Sequence, residues 1–166
     1  DLIKVGDIMR DYIVQSIEKE LGIPDDHIFF NSSHTHSAPD QTVTSLYGIQ
    51  RYVNQQLPAW TLKAAKQAMA DRAPATIYTG DTVAKGMNFV RHYVTNDGTY
   101  AGDNFGSFTS GAKDYITKAD QFMQFLSFRR ENKPEILCVN WQCHSQMLGR
   151  ENLDVSADFI GVLRTE

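Results

Sequence analysis

Three histidines and one arginine are the residues whose types and spacing could do chemistry in this chain. His34 and His36 lie in Asn31-Ser32-Ser33-His34-Thr35-His36-Ser37-Ala38-Pro39, among small hydroxyl residues. If this stretch continues an extended strand, an i, i+2 pair points to one side, because side chains alternate. His144 follows a second apolar run, Ile136 to Trp141. Ligands of sheet proteins gather outside the carboxyl ends of strands. Neutral imidazole nitrogens bind zinc at about 2.0–2.1 Å, and a catalytic site keeps one position open for water. The same pattern also suits histidines that are hydrogen-bonded in loops. Arg91, in Gly86-Met87-Asn88-Phe89-Val90-Arg91-His92, could hold a substrate oxygen through its planar guanidinium, or form a surface ion pair. Asp154 and Asp158 flank the start of the last helix, where negative charge favours a helix N-terminus without any catalytic role. His27 precedes its strand and belongs at the end opposite His34.

These side chains need elements to carry them. His27 to Ser32 reads as a buried strand ending at the His-Thr-His stretch, and Glu135 to Cys143 as a strand ending at His144. Both are apolar on both faces, which predicts central, buried positions. If they run parallel, all three histidines share one sheet edge. Ile3 to Leu21 has the apolar spacing of a helix, with Val5, Ile8, Met9, Tyr12, Ile13, Ile17 and Leu21 on its face and Gly22 and Pro24 as stop signals. A second helix is predicted from about Ile49 to Arg72, with Val53, Leu57, Trp60, Ala64, Ala65 and Ala68 on one side. Pro58 predicts a kink or break in it. Thr76 to Val83 reads as a strand, and Gln121 to Arg130 pairs with Glu135 to Cys143 as a hairpin. Ala84 to Lys118 has no sustained period; Asn96-Asp97-Gly98 within it is the tip of a hairpin. Ser156 is placed as the N-cap of a final helix running to Glu166.

The order of elements predicts an α/β or α+β chain, with a mixed sheet flanked by helices. Its 166 residues suit one domain, and 42% hydrophobic with 22% charged residues is the balance of a globular chain with a real core. A net charge of −4 argues against nonspecific nucleic-acid binding. No run of 18 apolar residues is present to form a transmembrane segment. Cys138 and Cys143, five residues apart, would face opposite sides of one strand, so no bond between them is expected; two free thiols favour a reducing compartment.

Ser33-His34-Thr35-His36-Ser37-Ala38-Pro39 is similar to the histidine motif of the neutral/alkaline, non-lysosomal ceramidases. Asn140-Trp141-Gln142-Cys143-His144-Ser145, followed by Leu148-Gly149, Asn152-Leu153 and Val155-Ser156-Ala157-Asp158-Phe159-Ile160-Gly161, resembles that family's second histidine block. Asn88-Phe89-Val90-Arg91 resembles the segment between them, and the order of the three blocks agrees. Ala38 and Asp40 depart from the pattern, where the family has glycine.

The resemblance implies a zinc-dependent amidohydrolase that cleaves the N-acyl amide of ceramide-like lipids to a fatty acid and a sphingoid base. It implies that His34 and His144 are zinc ligands, that His36 lies beside the metal as a catalytic group, and that Arg91 contacts a substrate oxygen. The family's glutamate and tyrosine ligands lie downstream of the second block. The chain, opening at Asp1, is therefore expected to be an incomplete single domain over 1–166, inactive on its own and prone to homo-oligomerise through exposed sheet edges. The other readings are a noncatalytic α/β domain that binds an anion or ligand, and a related hydrolase acting on a non-ceramide amide or ester.

Overall fold

The computed structural model describes residues 1–41, 48–95, 97–102, 112–115, 118–148 and 152–165. The chain is α+β, with its helices in one compact unit and its strands in another. The first unit comprises Asp1–Arg72 and His144–Glu166, and the second Ala73–Cys143.

In the first unit, α1 (Asp7–Leu21) packs against α2 (Gly48–Ala70). Gly22 ends α1 in the left-handed region at φ 67°, donating its N–H to Glu18 O, a conformation that glycine adopts without a Cβ penalty. Ile13, Val14 and Ile17 are buried and, with Leu2, are the buried apolar residues of the unit among the described residues. This stripe is narrower than the predicted one: Ile8 is 89% and Tyr12 60% exposed. They project beside α2, where Ile8, Met9, Tyr12, Pro58, Ala59 and Leu62 border a groove. Lys66 Nζ lies 2.8 Å from Glu20 Oε2 and ties the two helices at the surface. Its hydrogen bond, then its charge, holds the Glu20 carboxyl below its ordinary range. The predicted break at Pro58 does not occur, and α2 continues through it. A proline removes one backbone donor, and the remaining bonds of a 23-residue helix suffice to carry it through.

The second unit is built from two antiparallel sheets. In the first, β1 (Ala75–Val83), β5 (Phe122–Arg130) and β6 (Ile136–Trp141) stand in the order β1-β5-β6. Gly80 faces Phe125, whose ring fills the space that a Cβ at position 80 would need. The β5–β6 hairpin forms as predicted and turns at Asn132, φ 56°. The second sheet, β3-β2-β4, lies in the stretch read from sequence as loop: β2 is His92–Thr95, β3 Tyr100–Gly102 and β4 Ala112–Tyr115. β2 and β3 form a hairpin around the predicted tip, where Gly98 has φ 85° and Asp97 Oδ1 accepts the Thr99 N–H. Asn96 lies outside the described residues.

Two expectations for the strands that lead to the site are corrected. His27 to Ser32 is not a strand: Asp25–His27 is a 3-10 turn, and residues 28–32 are irregular backbone outside either sheet. A strand persists only with a partner, and Phe29 at 91% exposed shows that the apolar run is not buried on both faces. The other strand, β6, is real, but among the described residues it lies at the sheet edge and every pairing is antiparallel.

Candidate metal centre

The first unit brings His34, His36 and His144 together, with one nitrogen from each ring all within 4.8 Å of one another. Their ring centroids lie 4.7 to 5.1 Å apart. Strand alternation is not the cause. His34 has φ 60°, in the left-handed region that non-glycine residues enter at a cost of about 1–2 kcal/mol. The turn at His34 sets the direction of its ring. Two bonds to the N-terminal segment hold that conformation. His34 N–H donates to Leu2 O at 3.1 Å, and its Nδ1 lies 2.7 Å from Ile3 O.

The second bond fixes the tautomer. A carbonyl only accepts, so Nδ1 carries the proton and Nε2 keeps its lone pair. His36 Nε2 and His144 Nε2 face each other at 2.9 Å. Two imidazoles bound to one tetrahedral zinc would place their nitrogens about 3.3 Å apart. The His36–His144 pair is therefore within a few tenths of an ångström of that spacing, and the three-nitrogen group lies within 4.8 Å. Among the described residues, the cluster includes no carboxylate or thiolate. His34 and His36 are exposed and His144 is half-buried.

Buried polar groups surround the histidines. Thr35, between His34 and His36, is fully buried and donates its hydroxyl to Ser156 O at 2.9 Å. Ser156 N–H donates to Ser37 O at 2.8 Å, and Asn152 Nδ2 to Ser37 Oγ at 3.0 Å. Ser145, beside His144, is 3% exposed. Its carbonyl accepts the His36 N–H at 3.1 Å, and its hydroxyl donates to Ser33 O at 2.8 Å. The Ser33 hydroxyl is buried with no hydrogen-bond partner among the described residues.

Asp158 closes this lattice. Its Oδ2 accepts the N–H groups of Met147 and Leu148 at 2.9 and 3.0 Å, and its Oδ1 accepts the Phe159 N–H at 2.6 Å. It is 7% exposed and has φ 56°. The final helix, α3 (Asp158–Leu163), is shorter than predicted, and its N-cap is Ala157 rather than Ser156. The Ser156 hydroxyl instead accepts the Asp158 N–H at 3.0 Å. The carboxylate that sequence reading assigned to the helix terminus thus also anchors the segment after His144.

Arg91 is exposed and lies in the second unit, one residue before β2. His27, exposed at the end of the 3-10 turn, and His92, the first residue of β2, are not in the cluster. Asp154 offers its backbone carbonyl to Asn152 Nδ2 at 2.7 Å. Cys138 and Cys143 are both free thiols. Sequence reasoning missed Thr35 and Ser145, because short hydroxyl residues beside histidines carry no spacing signal of their own.

No protein-family model, curated protein or solved structure matches this chain. No described helix is long and apolar enough to cross a membrane.

Proposed function

We propose that this chain is part of a zinc-dependent amidohydrolase of the neutral-ceramidase kind, acting on the N-acyl amide of a ceramide-like lipid. The observation that carries this reading is the convergence of His34, His36 and His144, with the Nδ1–H of His34 committed to a carbonyl. A histidine whose second nitrogen is held in this way presents its other nitrogen as a metal ligand in a fixed direction. His34 and His144 would hold the ion. Zinc supplies Lewis acidity and water activation to amide hydrolysis. His36, in contact with His144, would take up and return a proton during hydrolysis, the work for which imidazole is suited near neutral pH. Arg91 would steady a substrate oxygen; that role rests on the sequence resemblance alone.

The test is metal content and affinity. The chain, freed of metal with a chelator, is titrated with Zn²⁺ and with Co²⁺ as a spectroscopic substitute. One site per chain is expected, with Co²⁺ absorption typical of nitrogen ligands. Absence of a stoichiometric site in this chain, and of zinc in the intact parent protein, would defeat the reading.

A further inference from the structure

We propose that Ser145 is the positioning residue of the histidine cluster, its hydroxyl setting where His34 stands relative to His36 and His144. The inference rests on the metal reading above and deepens it. Among the described residues, the first unit buries three polar residues, Thr35, Ser145 and Asp158. Each bonds backbone in a segment that carries a cluster histidine or directly follows one.

Ser145 is covalently next to His144 and spans both sides of the His34–His36 segment. Its carbonyl receives the N–H of His36, and its hydroxyl reaches the carbonyl of Ser33, one residue before His34. It therefore pins the short arc from Ser33 to His36 at both ends. The two pins are 3.1 and 2.8 Å long, on a residue with almost no exposed surface. Thr35, within the arc, is tied to Ser156, and Asp158 fixes the segment on the far side of Ser145.

Removing the hydroxyl leaves the carbonyl bond to His36 and frees the Ser33 end. The arc then pivots about His36, and the position of His34 relaxes with it. Groups of this kind, one bond removed from the ligands, typically change metal affinity about 10–100-fold when lost. A residue that only stabilises the fold lacks that effect once stability is matched.

The experiment compares wild type, Ser145→Ala and Ile17→Val, with Ile17→Val serving as a variant destabilised within α1, away from the cluster. Co²⁺ affinity is measured by competition titration, fold by circular dichroism, and the imidazole rings by ¹⁵N-detected two-bond NMR correlations. Ser145→Ala is expected to lower Co²⁺ affinity about 10–100-fold. It should also shift the ring signals of His34, His36 and His144 while leaving those of His27 and His92 in place. Ile17→Val should retain wild-type affinity. If Ser145→Ala binds Co²⁺ within threefold of wild type, positioning by Ser145 is overturned and the metal site stands. If wild type itself binds no Co²⁺, the ring signals alone decide. Unmoved cluster signals in Ser145→Ala then overturn the positioning role, and selective shifts uphold it. Should Ser145→Ala not fold, Ser145→Thr, which keeps the hydroxyl, is the second variant: wild-type ring signals support the role, and disturbed signals with the Ser33 bond intact contradict it.

Discussion

His36 Nε2 and His144 Nε2 meet at 2.9 Å across 108 residues of sequence. Unless a cation lies between them, one ring must carry its proton on Nε2 and donate it to the other, while the ring of His34 is fixed in the opposite tautomer by Ile3. The cluster is therefore asymmetric, with one ring whose tautomer is preset and two that can adjust to each other.

Single His34→Ala and His144→Ala variants should each weaken Zn²⁺ binding by at least about 100-fold, more than loss of an outer group would. His27→Ala and His92→Ala should leave it unchanged. Competition against a chromophoric chelator measures all four. Equal losses in the two control variants would show binding at scattered surface histidines instead.

Asp158→Asn keeps the size of the side chain and tolerates positive φ, but gives up a charged acceptor for three backbone N–H groups. It should destabilise the first unit by about 1.5–3 kcal/mol, read from urea unfolding followed in the helical signal. A change under about 0.5 kcal/mol would mean that charge at this site contributes nothing.

Ile13 is fully buried in the small core of α1. Ile13→Ala should cost about 2–5 kcal/mol, whereas Ile8→Ala, at an exposed position, should cost less than about 0.5 kcal/mol. Thermal and urea melts of the two variants give the contrast directly.

The Glu20–Lys66 pair has a pH signature. Lys66 depresses the folded-state value of Glu20, so the stabilisation is present above the unfolded carboxyl range. It is lost as pH falls through the depressed folded value. Glu20→Gln should therefore lower the unfolding midpoint slightly at neutral pH and low salt. The difference should vanish in acid and in high salt, because both partners are about half exposed.

β6 ends its sheet with the uncharged sequence Ile136-Leu137-Cys138-Val139-Asn140-Trp141, and Ile136 and Leu137 are about half exposed. An edge without lysine, proline or a bulge invites pairing with a second copy. Light scattering behind size exclusion should show concentration-dependent association that Leu137→Lys suppresses. A monomer at all concentrations would rule this out.

Several elements were legible in the sequence because their signals are local. The spacing of Ile13 and Ile17, the Gly22 stop, the β5–β6 hairpin and the Asn96-Asp97-Gly98 tip each need only a few neighbouring residues. The three histidines were also legible as candidates, but their route to one place was not. It depends on the left-handed backbone of His34 and on bonds from residues 2 and 3, which no periodicity encodes. The apolar run before His34 reads as a strand by composition, yet a strand is defined by its pairing, and among the described residues this run pairs with no strand. The three short strands β2 to β4 escaped for the opposite reason: three or four residues are too few to show a period.

The first unit is interrupted in sequence by all of the second, residues 73–143. On a ribosome adding about 5–20 residues per second, those residues take roughly 4–14 s to make. During that interval α1 and α2 can already pack, since both precede the interruption. His34 and His36 wait without His144, and the Ser33 to His36 arc waits without Ser145. The histidine triad therefore forms only after the intervening unit has been made: a metal ion met before then finds at most two of the three imidazoles.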